Sequence, residues 1–276
     1  MSPSSSSREM PLRLHIEEMR SRIIHIVMFV IIITIFSMSF GIKPFELGNS
    51  LLVYYPYPDP FHNIAIQITR YMQETLLPPE VKLIQTAPGQ AFFSQIYVSI
   101  LIGIIGSMPI IIKEVYGFIS PAIENNTKKI GILNIFLPTL SLFIIGVLFS
   151  YILVIPFTLN FLYSYGLAIG VETFLNIDSF ISFVLQFFLG FGIAFELPIM
   201  MYAVALTDVV EAKFWRDKFR YAIIIFVIFG AIITPDGSGI TMWLVTGPMI
   251  LLYIIGIVVI ERRERRELAK TTFDNS

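Results

Sequence analysis

The chain has 276 residues, 55% of them hydrophobic and only 14% charged, where soluble domains carry about a quarter charged. With a mean hydropathy of +0.77, it reads as an all-α polytopic membrane protein, and a net charge of −1 says little, because the distribution of charge outweighs its sum. The absence of cysteine excludes disulfides, thiolate zinc sites and cysteine nucleophiles, while His15, His25 and His62 lie too far apart for a metal-ligand motif and no phosphate-binding glycine loop occurs, so no metal, cofactor, enzymatic activity or nucleic-acid binding is expected.

Residues 1–10 form a Ser-rich tail with nothing to bury. From Leu12, the apolar residues Ile16, Met19 and Ile23 recur at helical spacing, with Glu17, Glu18, Arg20 and Arg22 on the other faces. This predicts an interfacial helix over Leu12–Ser21 that feeds a first span at about Ile23–Gly41. Glu18 and Arg22 stand in the favourable i,i+4 order, so an ordinary intrahelical ion pair is the plain reading of both. A long outer loop follows, at about 42–91. It holds the Pro-rich run Tyr54–Pro60, read as extended, and then an amphipathic surface helix with Asp59 as N-cap and Pro60 as first helical residue.

Further spans are predicted at about Phe92–Ile112, Ile132–Phe157, Ser179–Leu206, a short fifth between Arg220 and Asp236, and Ile240–Ile260. The fifth has fifteen residues, about 22 Å of helix against a hydrocarbon core of about 30 Å. The organisation is thus a tail and interfacial helix (1–22), a six-span domain (23–260) and a charged tail (261–276) read as a solvated helix extension. Six spans place both termini on one side. Sixteen of the 19 basic residues fall in the tails and the loops on that side, which predicts a cell-membrane protein with both termini in the cytoplasm.

The fourth span carries one ionisable residue between Asp178 and Asp208, Glu196, followed by Pro198. At a rise of about 1.5 Å per residue it lies roughly 18 Å from Asp208 and roughly 27 Å from Asp178, inside the core. A carboxylate there costs about 2.5–3.5 kcal/mol on insertion scales. It must face a cavity or a partner, or carry a proton; a structural carboxyl bonded to a neighbouring helix is the bland alternative. Pro198 removes a backbone donor and predicts a kink.

Several stretches together resemble one family. His15-Ile16-Glu17-Glu18-Met19-Arg20-Ser21-Arg22 resembles the opening signature of TatC, the multi-spanning subunit of the twin-arginine protein translocase. Thr86-Ala87-Pro88-Gly89-Gln90-Ala91-Phe92-Phe93, Ser107-Met108-Pro109, Phe118-Ile119-Ser120-Pro121, Phe191–Pro198 and Thr234-Pro235-Asp236 are similar to its later motifs, in the same order. The resemblance covers about Leu12–Ile260. The outer loop and the Gly-Ser-Gly after Asp236 resemble archaeal members.

The resemblance implies a receptor and core subunit that recognises signal peptides with paired arginines on folded proteins and exports them with single-span TatA/TatB-type partners. It also leaves room for a homo-oligomer within a larger complex. Glu18 matches the family's first signal-binding acid, with Glu17, Arg20, Phe118 and Pro121 around it. The family's second acid falls in register with Thr127, so Glu124 is the candidate, with Glu114 or Glu17 as substitutes. Glu196 and Pro198 match the membrane-buried partner contact, and Thr234, Pro235 and Asp236 a structural turn. The signal's hydrophobic stretch would lie in a groove lined by spans 2, 3 and 4, with local bilayer thinning at the short fifth span. Two other classes compete. An ion- or proton-coupled secondary transporter would also use Glu196, but no internal repeat is visible. An intramembrane hydrolase would need a nucleophile with a base, and His25 stands alone.

Overall fold

A computed structural model of the chain describes residues 12–47, 51–123, 133–206, 210–234 and 238–274. Helix dominates. Among the described residues four helices are long and apolar enough to cross a membrane (Ile16–Ser39, Ile135–Ala168, Ile177–Ala205 and Gly239–Arg266), or five if a bent pair, Gln90–Gly106 with Met108–Phe118, counts as one. A shorter apolar helix, Phe219–Ile233, falls where the fifth span is expected.

Helix α1 (Leu12–Ser39) runs unbroken. The expected separate interfacial helix is instead the first turns of the span, because no Gly or Pro between Leu12 and Ser39 interrupts the backbone bonds. The chain then departs from the all-α expectation. Strands β1 (Phe40–Leu47) and β2 (Leu51–Pro58) pair antiparallel, with Phe40 opposite Pro58 and Leu47 opposite Leu51. The Pro-rich run could be taken for a loop because Pro44, Pro56 and Pro58 lack donors, yet in a two-stranded ribbon both strands are edges and tolerate them.

Helix α2 (Ile64–Leu76) is capped by Asn63 rather than Asp59. Buried Asn63 accepts from the Ile66 N–H (3.0 Å) and donates to the carbonyls of Met38 (2.8 Å) and Pro60 (3.0 Å). Asp59 instead closes the preceding turn, accepting from the N–H groups of Phe61 (2.9 Å) and His62 (3.1 Å). Strand β3 (Lys82–Ile84) pairs in parallel with β4 (Phe174–Asn176). Beside it the Gln90 side chain accepts from the N–H groups of Thr86 (2.9 Å) and Ala87 (3.2 Å), and Asn176 donates to Thr86 Oγ1 (2.7 Å). The Thr86–Gln90 motif is therefore a self-closed turn that ties the connections carrying β3 and β4 together.

The predicted second span is two helices, α3 (Gln90–Gly106) and α4 (Met108–Ile123), bent by 52° at Ser107. Pro109 cannot donate to the carbonyl one turn back, so the ladder restarts from the Ser107 carbonyl, which takes the N–H groups of Ile110 and Ile111 at 2.9 Å each. Part of the expected loop after Ile112 is thus helix, and Glu114 and Phe118 ride on it.

Helix α5 (Leu133–Phe149) passes through a π-helical turn at Ser150–Val154 into α6 (Ile155–Ala168), well beyond the predicted end at Phe157. The wide turn sits just before Pro156, where the regular bond is unavailable. Helix α7 (Ile177–Phe195) begins the most buried of the four long apolar stretches, Ile177–Ala205. It meets α5 at close range through glycine. A Cβ on Gly146 would stand 2.5 Å from the Phe191 carbonyl oxygen, and one on Gly192 2.5 Å from Phe143 Cε2. Small residues let membrane helices approach in this way. Gly146→Ala is expected to cost about 1–3 kcal/mol, since backbone must move, and to lower the thermal midpoint in detergent. Gly247→Ala, with nothing within 4 Å, is the control and should hold or raise it. An unchanged midpoint for Gly146→Ala would contradict the close approach.

Helix α8 (Leu197–Ala205) continues from α7 after a break at Glu196. A short helix, α9 (Ala212–Asp217), lies in the expected charged loop, followed by α10 (Phe219–Ile233) and the long α11 (Gly239–Asp274). The C-terminal extension of α11 is more than a solvated helix. Arg263 donates to the Ala205 carbonyl at the end of α8 (2.7 Å), Glu264 accepts from the Ala212 N–H at the start of α9 (2.7 Å), and Glu261 pairs with Arg216. Charged side chains here satisfy the unpaired backbone groups of two helix ends.

Candidate functional site

Two places gather the predicted residues. The first is a corner where α1 meets α4. Arg22 donates through Nε (3.1 Å) and Nη2 (2.6 Å) to Glu18 Oε1, and through Nη1 to Glu114 Oε2 (3.1 Å) and to the Glu114 carbonyl (3.3 Å). One guanidinium is thus held between two carboxylates that lie 96 positions apart in the sequence (Glu18 to Glu114). His25 Nδ1 stands 3.6 Å from Glu114 Oε1. The corner is partly sheltered: the side chains of Arg22, Glu18 and Glu114 are 25%, 30% and 15% exposed. Gly117, one turn past Glu114, makes the space, since a Cβ there would collide with Arg22 Nη1 and lie 3.1 Å from Cζ.

The i,i+4 pair of Glu18 and Arg22 is present as the sequence predicts, and a plain ion pair accounts for its geometry alone. It does not account for Glu114, which the sequence placed only as a substitute acid. The signal that could have ranked it higher is Glu114 and Gly117 at i,i+3 on one helix face, an acid beside a gap. Glu17 and Arg20 are exposed on α1, and Phe118 is half-buried on α4. Pro121 falls within the backbone of α4. Glu124 and Thr127 lie outside the described residues.

The second place is the break between α7 and α8. Glu196 caps α7 in near-helical geometry (φ −73, ψ −11), its N–H bonding the Ile193 carbonyl (3.1 Å) and its own carbonyl accepting from Met200 (2.9 Å). Pro198 is buried in the first turn of α8, just after the break. The Glu196 side chain is only 9% exposed, and its Oε1 has no hydrogen-bond partner among the described residues. Its flanks are tightly packed. Gly192 lies against Phe143 of α5, and Gly256 of α11 against Met201 and Pro198. The bland alternative, a carboxyl bonded to a neighbouring helix, is met in part: the carboxyl has a backbone hydrogen bond with Phe143 of α5, while Oε1 is left without a partner among the described residues. At the third predicted place, Thr234 is buried and donates to the Gly230 carbonyl (2.8 Å), ending α10; Pro235 and Asp236 lie outside the described residues.

No group of three or more potential ligands for a metal occurs among the described residues. A crevice of about 330 Å³ between α6 and α7, lined by Leu159, Leu162, Phe183 and Gln186 among others, carries no acidic or basic side chain.

Fold and charged sites together define a polytopic helical membrane protein. Its sequence matches the family described as Sec-independent protein translocase protein (TatC) over residues 14–248. It is 49% identical over 259 residues to the TatC of Cenarchaeum symbiosum (strain A), covering 94% of this chain and 97% of that protein. It is 33% identical over 266 residues to the TatC of Aquifex aeolicus (strain VF5), covering 95% and 100%. The fold is similar to a crystal structure of the twin arginine translocase receptor TatC, with a TM-score of 0.73 and 30% identity, covering 90% of this chain and 98% of that one. This chain belongs to the TatC family, a family of protein-transport components. The family resemblance drawn from its motifs holds, and the Cenarchaeum match agrees with the archaeal likeness.

Proposed function

We propose that this chain is the receptor and core subunit of a twin-arginine translocase, taking folded proteins by signal peptides with paired arginines and exporting them with single-span TatA/TatB-type partners. The observation that carries the reading is the α1–α4 corner, where carboxylates hold a guanidinium in a partly sheltered place. Arginine suits such a place because its planar fork makes two parallel bonds to a carboxylate, whereas an ammonium offers a hydrated point charge. Glu18 supplies the first acid, flanked by Glu17, Arg20 and Phe118.

Glu196 serves the second half of the task. A buried carboxyl oxygen with no partner among the described residues is suited to a polar group carried by an incoming membrane helix, where hydrogen bonds in lipid add about 0.6–2 kcal/mol. In this reading the helices make six crossings of the cell membrane, with α10 as a short fifth and both termini in the cytoplasm. Fifteen residues in α10 reach about 22 Å, so the bilayer thins there and the passage of polar protein costs less.

The test is export in vesicles holding this chain and its single-span partners, with a folded reporter behind an Arg-Arg or a Lys-Lys signal. Protection of the Arg-Arg reporter alone from external protease is expected. Equal protection of both, or of neither, contradicts the reading.

A further inference from the structure

Arg22 has a place in the receptor corner that a strut between two helices would not need. It spends three of its nitrogens on two acids from different helices, and α4 keeps a glycine beneath its head. Resting on the receptor reading above, we propose that Arg22 is a built-in stand-in for a signal arginine, that Glu18 and Glu114 are the two acids of the site, and that a paired-arginine signal binds by evicting Arg22.

The donor and acceptor pattern supports this. Glu18 accepts twice at Oε1, and among the described residues nothing donates to its Oε2; Glu114 accepts from Arg22 at Oε2. Two carboxylates therefore share one guanidinium, which is half of what they can hold. A ligand with two adjacent guanidinium groups gives each acid its own planar partner and replaces a charge of +1 by +2 between two acids. A ligand with one guanidinium exchanges like for like with Arg22 and gains little. The requirement for two arginines then follows from a competitor already in the site, and linkage between the two contacts multiplies the advantage.

Eviction is geometrically open. Arg22 is on a long flexible stem and a quarter exposed, so its head can swing to the surface while α1 stays in place. Gly117 leaves the slot free of side chain on the α4 side. Glu114 fits the second acid better than a residue of the following connection, because it is already aimed at the guanidinium that Glu18 holds.

Binding of Arg-Arg and Arg-Gln signal peptides of otherwise identical sequence, measured to the full chain in nanodiscs, tests the proposal. Arg22→Gln removes the competitor. It should tighten Arg-Arg binding, by roughly two- to fivefold for a pair this exposed. Glu114→Gln, read also in the Arg22→Gln background where the competitor no longer contributes, should bring the Arg-Arg to Arg-Gln affinity ratio close to one, and Glu124→Ala should leave it as in the parent. Thermal midpoints confirm that each variant is folded. Weaker Arg-Arg binding by Arg22→Gln in folded protein makes Arg22 a structural strut and overturns the proposal. So does a ratio that survives Glu114→Gln or is lost in Glu124→Ala. A parent chain that binds Arg-Arg and Lys-Lys peptides equally instead removes the receptor reading, and this proposal with it.

Discussion

Replacing Glu18 with lysine is expected to weaken capture of an Arg-Arg signal by roughly thirtyfold, equivalent to about 2 kcal/mol. Two effects add. The substitution removes the acceptor that takes two N–H donors of a guanidinium in the structure, and it places an ammonium where the signal's cations must come. Glu18→Ala has only the first effect. Because the side chain is 30% exposed, solvent screens it, and a loss of about 1 kcal/mol, roughly fivefold, is appropriate. The fold should tolerate both changes, since a like-charge i,i+4 pair on a helix costs only about 0.2–0.5 kcal/mol. Charge carries the effect, so the gap between parent and variant should shrink from low to high salt, as screening acts within about 8 Å at physiological ionic strength. Peptide titration in nanodiscs at two salt concentrations measures this. Equal binding by parent and Glu18→Lys would remove Glu18 from the site.

The second large effect belongs to Glu196. Glu196→Ala should reduce co-purification of a single-span partner by about five- to thirtyfold, or about 1–2 kcal/mol, by leaving the partner's polar group without an acceptor in lipid. Glu196→Gln keeps a carbonyl oxygen and should lose less. The chain without partners should behave differently. Glu196 Oε1 makes no hydrogen bond to the described residues, and an amide can keep the carboxyl's backbone bond with Phe143, so Glu196→Gln should leave the thermal midpoint of the isolated protein unchanged. A structural carboxyl predicts the reverse order, with a lower midpoint and unchanged partner binding. Undiminished co-purification of Glu196→Ala would therefore end the partner role.

Both sites were legible in the sequence to unequal depth, for physical reasons. Glu196 stood out because a lone acid in a long apolar run is costly, and Pro198 marked the place where the structure interrupts the helix between α7 and α8. Glu18 and Arg22 were visible as neighbours at helical spacing. The contact of Arg22 with Glu114 was not legible, because α4 follows a 52° bend at Ser107, and the sequence showed Pro109 without showing the angle or direction of the turn. The hairpin of β1 and β2 was missed for a different reason: proline signals a loop locally, and only pairing with a second edge makes it a strand. The tail after Ile260 looked solvated because its charges alternate; its task, holding the ends of α8 and α9, depends on where α11 passes. Helices were readable from hydropathy, whereas the joints between them were set by contacts distant in sequence.

The most direct test of the central claim is the affinity of the unaltered chain for two signal peptides that differ only as Arg-Arg against Lys-Lys, measured in nanodiscs at physiological salt. Both peptides carry the same charge, so simple attraction to an acidic surface binds them equally. Carboxylates arranged for planar guanidinium groups do not. A preference of about tenfold or more for Arg-Arg is the result expected from a site built on Glu18 beside Glu114; equal affinities would contradict it.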